Sequence, residues 1–351
     1  MKTTLAAGIV CLAITSGAHA QQGCAAPFIG WGNLGQSLPP QGNCMGIAAG
    51  QGFVVQLQLD GSLTASGAIS QPPQGQFLAV AGGFGHAAAI RADRRVVAWG
   101  FNHYGQTNVP PELLDAAKVT TTYDNSAIID VNGQIHVWGW TDFGLTNPPT
   151  GTFVEIDGGE FHLVALRSDG QAVCWGNNGH GQTAVPVGLG PCIAVAAGGG
   201  IIGEVATGHT LAVTADGQVH GWGNNSYGQC NVPNGLANVV SVAAGGPHSI
   251  ALKQDGTVVC WGDNRAGQSS PPTALGPVGM IVAGEFLSYA VQQCCNGDLN
   301  ADHVINGSDL GILLAFWGSV TTFPKADLNG DSQVNGADLG MLLAHWGPCP
   351  N

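Results

Sequence analysis

The chain has 351 residues, a formal net charge of −13, charged side chains at only 9% and 56 glycines. That composition suits many short strands joined by tight turns and argues against a protein built from long helices. The nine basic residues form no stripe, so no nucleic-acid partner is expected, because phosphate binding needs clustered Lys and Arg.

Residues 1–20 carry Lys2, an apolar run from Leu5 to Ile14 and the ending Ala18-His19-Ala20, the three-part pattern of a cleaved secretory leader. The mature chain is expected to begin near Gln21 and to be secreted, extracellular or at a cell surface. The apolar run is too short to span a bilayer, so no membrane span is expected. Cys11 leaves with the leader, and nine cysteines remain in an oxidising compartment. Nine is odd, so at least one thiol stays free or pairs between molecules.

Residues 21–296 are organised by one repeated unit, seen most clearly from Val80 to Gln106. An apolar step leads to a Gly-x-x-His corner, two apolar runs flank a turn pair, the second run ends in Trp-Gly, and Gly-Gln follows seven residues after the Trp. The corner falls at Phe53, His86, Asn125, His162, His209, His248 and Leu287, and the Trp position at Trp31, Ser66, Trp99, Trp138, Trp175, Trp222 and Trp261. Corner and Trp lie thirteen residues apart in every unit from Phe53–Ser66 to His248–Trp261, whereas the spacing between units varies from 33 to 47. Each unit is therefore rigid, and insertions fall between units, the signature of an array whose members bury a face against the next.

The turn pairs are Asp60-Gly61, Asp93-Arg94, Asn132-Gly133, Asp169-Gly170, Asp216-Gly217 and Asp255-Gly256. Asp-Gly and Asn-Gly between apolar runs predict β-hairpins, with two positive φ angles at each turn. A third strand precedes each corner, as in Val239 to Ala244. The ends complement each other: Phe28 to Gly32 supplies only a Trp strand, and Val278 to Val291 supplies the strands that precede one. Joined, they complete a seventh unit and close an all-β, seven-bladed propeller with no free edge.

The order Gly-x-x-His, Asp-Gly, Trp-Gly-x-Asn-x-x-Gly-Gln resembles the repeat of the regulator of chromosome condensation family, a seven-bladed propeller, over residues 28–292. Ser66-Gly67 replaces one Trp-Gly, and Leu145 replaces one Gln. The nuclear member of that family works on a GTPase and chromatin. An acidic, exported chain does not fit that role, so the resemblance carries the fold and not the activity.

From Asp298 a second period begins. Asp298, Asn300, Asp302, Asn306 and Asp309 occupy positions 1, 3, 5, 9 and 12 of a twelve-residue loop, and Asp327, Asn329, Asp331, Asn335 and Asp338 repeat them 29 residues later. With the backbone carbonyls of Val304 and Gln333 at position 7, this spacing of hard oxygen donors predicts two calcium ions in EF-hand-type loops. Leu310, Leu313, Leu314 and Trp317, and likewise Leu339, Leu342, Leu343 and Trp346, follow the i, i+3, i+4, i+7 rule of an amphipathic helix. The paired loop-helix units resemble a type I dockerin, which implies a small all-α, calcium-folded domain over residues 297–351 that docks onto a cohesin-like or cell-surface protein. His303 and Ser332 replace Gly at position 6. Gly307-Ser308 and Gly336-Ala337 differ from the Ser-Thr pair of well-known cohesin binders, which leaves the partner open.

Two disulfides are expected: Cys295 with Cys349, stapling the termini of the small domain and contributing roughly 3 to 4 kcal/mol, and Cys24 with Cys44, flanking the first Trp strand. Cys174 and Cys260 precede Trp175 and Trp261 and read as buried apolar residues. The repeated histidines and tryptophans are spread around the ring, which gives them hydrogen-bonding and packing roles. Gly198, Gly200 and Gly203 match G-x-G-x-x-G but lack a strand-helix frame. The run 198–206 holds eight extra residues and makes Gly200, Ile201, Ile202 and Glu204 a candidate recognition loop. Glu155, Asp157 and Glu160 cluster before one corner, and Phe101, Tyr104, Phe143 and Tyr227 could form a binding rim, although Tyr104, Phe143 and Tyr227 share a repeat position that suits packing. Nucleophile-elbow and H-E-x-x-H signatures are absent.

The sequence thus reads as a non-catalytic binding propeller for an unknown protein or glycan, with a calcium-dependent docking tail. The competing readings are a dockerin-bearing polysaccharide hydrolase and a purely structural surface protein.

Overall fold

The computed structural model describes residues 13–14, 18–19, 28–32, 44–58, 60–202, 205–206, 208–273, 275–276, 278–292, 297–300, 304–318, 326–328 and 333–348. Among these, seven antiparallel three-stranded sheets carry the repeats. Sheet 1 comprises Cys44–Gly50, Phe53–Gln58 and Leu63–Gly67, and sheet 2 comprises Phe77–Gly82, His86–Arg91 and Val96–Gly100. Sheet 3 is Ala116–Thr121, Asn125–Asp130 and Ile135–Gly139, and sheet 4 is Phe153–Gly158, His162–Arg167 and Ala172–Gly176. Sheet 5 is Cys192–Gly198, His209–Thr214 and Val219–Gly223, and sheet 6 is Val239–Ala244, His248–Lys253 and Val258–Gly262. Sheet 7 joins Val278–Ala283 and Leu287–Gln292 to Phe28–Gly32, with Ser288 opposite Trp31. The first strands of the seven sheets touch one another in cyclic order, and sheet 7 touches sheet 1. The expected closure by the two ends of the repeat region is therefore present.

The hairpin turns differ from the expectation in one respect. Only the second residue of each pair lies at positive φ, as at Gly61 (78°), Gly170 (86°) and Gly256 (78°). Each turn is therefore of type I followed by a left-handed bulge residue, and not a turn with two positive φ angles. The aspartate is favoured because its carboxylate accepts the N–H two residues on, as Asp60 does from Ser62 (2.9 Å) and Asp255 from Thr257 (3.0 Å). Arg94, at φ 64°, holds the bulge position without the freedom of glycine.

A relay of hydrogen bonds ties sheets 2, 4, 5 and 6 each to the next. His86 Nε2 meets Ser126 Oγ (3.2 Å), Ser126 donates to the Gln106 carbonyl (2.8 Å), and Trp138 Nε1 donates to the same carbonyl (3.0 Å). His162–Thr210–Gln182–Trp222 and His209–Ser249–Gln229–Trp261 repeat the pattern. His248–Ser288–Gln268–Trp31 seals the ring. Because each hydroxyl hydrogen goes to a carbonyl, the imidazole must donate from Nε2. Where Leu145 replaces the repeat glutamine, Trp175 still donates to its carbonyl (3.0 Å), which explains why that change is tolerated. Burial lowers the His86 pKa to about 4, and burial with the neighbouring His209 lowers His162 and His248 to about 3.

Beyond the ring, α1 (Gly307–Ala315) and α2 (Gly336–Ala344) are capped by Asn306 and Asn335, each with a reciprocal capping box to Asp309 or Asp338. Val304–Ile305 pairs with Gly347–Pro348. The core here is Leu299, Ile305, Leu313, Ala326, Val334 and Leu342. The expected apolar stripe is only partly inward: Leu314, Trp317, Leu343 and Trp346 are about half exposed, because a pair of nine-residue helices has one shared buried line. No disulfide is seen among the described residues. Cys44 carries a free, buried thiol whose pKa burial pushes up to about 11. Cys24, Cys295 and Cys349 lie outside the described residues. No described helix is long and apolar enough to cross a membrane.

Candidate functional site

At the corner end of the ring, the seven first strands open into a depression lined by residues 49–51, 82–84, 121–123, 158–160, 197–200, 244–246 and 283–285. Backbone hydrogen bonds run around it from sheet to sheet: Gln51 N to Gly83 O, Phe84 N to Tyr123 O, Tyr123 N to Glu160 O, Gly199 N to Gly245 O and Gly246 N to Gly284 O. Glycine is required where sheets approach this closely, since a Cβ on Gly158 would overlap the Thr121 carbonyl and one on Gly245 the Gly284 carbonyl. The mouth is thus a fixed frame.

Its largest side chains come from one repeat position, two before the corner: Gln51, Phe84, Tyr123, Glu160 and Glu285, with Gly246 at that position in sheet 6. Gln51 donates to Glu285 (2.8 Å) across the seam between sheets 1 and 7. Glu160 is 3% exposed. Burial raises the Glu285 pKa, opposed by the Gln51 bond. Burial, followed by the charges of Asp124, Glu160 and Glu285, pushes the Tyr123 phenol up to about 12. In the sequence, Glu160 stands out through its cluster with Glu155 and Asp157, whereas the other five carry no motif. The available signal was variation at one fixed position among otherwise uniform repeats.

From the mouth an aromatic wall runs outward over sheets 2 to 4. Phe84 stacks on Tyr123 (3.9 Å between centroids), Tyr123 meets Phe161 (5.3 Å), and Phe161 meets Trp140 edge-on (5.2 Å). Trp140 then contacts Phe143 (5.4 Å) and Tyr104 (5.9 Å). Tyr104 and Phe143 are 52% and 51% exposed, so their shared repeat position does not bury them in packing. Phe143 sits at φ 57°, a conformation that is unfavourable for an aromatic residue and is often found at functional loops. Tyr227, the third member of that position, is instead covered by Arg265 (4.5 Å from the ring centroid). Phe101 packs beside His103 (4.7 Å).

Glu155 and Asp157 do not converge with Glu160. Both are buried on the first strand of sheet 4, where Asp157 accepts from Thr120 (3.4 Å) and from the Ala197 amide of sheet 5 (2.9 Å). Burial raises both carboxyls well above their ordinary range, and Lys118 opposes this at Glu155. They bind sheet to sheet. In the insertion, Gly200 reaches the mouth beside Glu285 and Ile201–Ile202 pairs with Val205–Ala206. Glu204 lies outside the described residues.

The acidic loops are partly described. Asp309 is fully buried and accepts the amides of Leu299 (2.8 Å), Asn300 (3.2 Å) and Asn306 (2.9 Å). Asp338 does the same for Leu328 (2.7 Å) and Asn335 (2.8 Å). The twelfth residue therefore gathers both ends of each loop. Asn306 and Asn335 use their side-chain oxygens to cap the helices. Asp298, Asn300, Val304, Asp327 and Gln333 are also described, whereas Asp302, Asn329 and Asp331 are not. Every donor in the set is a hard oxygen, which fits calcium and suits softer metals poorly.

Comparison with known proteins gives these features a family. Residues 77–106, 153–182, 207–229 and 239–268 match the regulator of chromosome condensation (RCC1) repeat, and residues 296–345 match the dockerin type I domain. The chain carries RCC1 repeats and a type I dockerin domain. Among solved structures, its propeller is similar to Prp20p of Saccharomyces cerevisiae, with 15% identity, a TM-score of 0.64, and 84% of this chain and 96% of that chain covered. Human WBSCR16 matches at 16% identity and TM-score 0.60, covering 77% of this chain and 99% of that one. The receptor kinase CR4 ectodomain of Physcomitrella patens matches at 22% and 0.57, covering 68% and 67%. Such identities establish the fold alone. No curated protein sequence matches the chain. The chain thus combines an RCC1-repeat propeller with a type I dockerin, and type I dockerins are calcium-binding domains.

Proposed function

We propose that this is an exported, non-catalytic binding protein whose propeller takes a protein or glycan at the ring mouth, while its dockerin fastens it to a cohesin-type or cell-surface partner. The observation that carries the reading is the contrast within the repeat: core positions are nearly uniform, and the position lining the mouth differs in almost every sheet. Uniform positions hold the ring, and varied ones on a rigid frame provide recognition. The dockerin is proposed to fold around two calcium ions. One would be held by Asp298, Asn300, Asp302, the Val304 carbonyl, Asn306 and Asp309, and the other by Asp327, Asn329, Asp331, the Gln333 carbonyl, Asn335 and Asp338. Cleavage of the leader near Gln21 belongs to the same proposal.

The test is a two-part binding assay with the mature chain. Immobilised cohesins should retain it in calcium and release it in chelator, and a glycan and protein panel should find a ligand that is bound without turnover. Release of reducing ends from a polysaccharide would instead favour the hydrolase reading. Cell-wall fractionation with no ligand on the panel would favour a structural surface role.

A further inference from the structure

The propeller repeatedly covers its own aromatic rings with guanidinium groups. Arg91 lies over Phe77 (5.2 Å), Arg167 over Phe153 (5.0 Å), and Arg265 over Tyr227 (4.5 Å). The last case is the informative one. Tyr227 comes five residues after its Trp, and Arg265 and Asp263 come four and two residues after the Trp of the next sheet. Asp263 grips Arg265 through Nε (2.9 Å) and Nη2 (2.9 Å), so ring, cation and carboxylate form one closed unit.

The same repeat positions around sheets 2 and 3 lack the cation. Tyr104 is the equivalent ring, but the residue in Arg265's place is Asp142, which is exposed, and the one in Asp263's place is Trp140. Ring and carboxylate are both present, and the ring stays half exposed. Among the described residues, no other Lys or Arg lies at this end of the propeller; the nearest basic group is His103, beside Phe101 (4.7 Å). Arg91, Arg94, Arg95, Arg167 and Lys253 lie at or beside the hairpin turns, at the opposite end of the strands. Arg265 is held by Asp263, while Glu160 and Glu285 line the adjoining mouth.

We propose that the wall from Tyr104 and Phe143 through Trp140 to the mouth is a docking surface for an arginine-bearing segment of a partner protein. Its guanidinium groups would take over Tyr104 the place that Arg265 takes over Tyr227, with the mouth carboxylates as counter-charges. Arginine is favoured over lysine because its planar group stacks on a ring while still donating sideways to a carboxylate. This inference rests on the reading of the mouth as the ligand face and specifies its ligand.

Isothermal titration of the mature chain in calcium tests it with two peptides of alternating glycine and arginine or glycine and citrulline, and with a neutral oligosaccharide. The arginine peptide should bind, more weakly as salt rises, and the citrulline peptide about tenfold less tightly. Phe143→Gly removes the exposed ring while suiting the positive φ, so the melting temperature should hold and arginine-peptide affinity should fall about tenfold. Equal binding of the two peptides, no binding of either, or indifference to Phe143→Gly would each overturn the inference. An oligosaccharide that binds and is lost in Phe143→Gly, with both peptides inert, would leave the mouth reading standing and remove only the arginine class.

Discussion

Replacing His248 by Asn should change the acid sensitivity of the propeller in a way that isolates one histidine. Asn125 shows that the corner tolerates an amide. In the fold, burial keeps His248 neutral down to about pH 3, whereas in the unfolded chain it takes up a proton below about pH 6.5. Its depressed folded pKa means that the stabilisation is fully present above about pH 6.5 and is lost as pH falls. At about 1.4 kcal/mol per pH unit, the loss reaches about 3 kcal/mol by pH 4.5. At pH 7.5 the variant should be the less stable protein by about 1 to 2 kcal/mol, since it loses the 2.8 Å bond to Ser288. By pH 4.5 it should equal or exceed the parent. Urea unfolding followed by tryptophan fluorescence at three pH values gives the difference, and other titrating groups cancel between the two proteins. A gap that does not change with pH would refute the assignment of His248 as a buried neutral donor.

Further outcomes follow from the same geometry. Gly245→Ala should destabilise by about 1 to 3 kcal/mol or prevent soluble expression, because its Cβ overlaps both the His248 ring and the Gly284 carbonyl, and thermal melting reads this directly. Arg94→Gly should raise stability by about 1 kcal/mol by relieving the positive φ, and an unchanged or lower midpoint would contradict the bulge assignment. Asp157 has its pKa raised by burial, so the parent should lose stability as pH climbs from about 4 toward 7 and Asp157→Asn should lose less, as parallel denaturation curves would show. Chelating calcium should lower the helical circular dichroism of the dockerin, and Asp309→Ala should reproduce this. Unchanged spectra would count against the loops as metal cages.

Much of the ring was legible because its signals are local and repeated. The constant spacing from corner to Trp fixed the hairpins, and the half-units at residues 28–32 and 278–291 specified closure. The turn type was misjudged because Asp-Gly suits more than one hairpin, and only the φ angle of the first residue separates them. The mouth was mostly hidden: Gln51 and Glu285 stand 234 residues apart and meet only because the ring closes. Tyr104 was assigned to packing because it shares a position with Tyr227, yet whether that ring is covered depends on Arg265 in the next sheet. In the dockerin, periodicity found both helices and could not tell that Trp317 and Trp346 face outward, since a short helix pair buries less than its apolar stripe offers.

The pairing of Phe28–Gly32 with Leu287–Gln292 also sets the order of events during synthesis. Trp31 lies in the first strand of the ring to be made, and its hydrogen-bond acceptor Gln268 is made 237 residues later. At typical elongation rates that interval lasts on the order of ten to fifty seconds. For that time the opening strand of the ring must wait for its partner, so the last joint of the ring is made by its first-made strand meeting its last-made one.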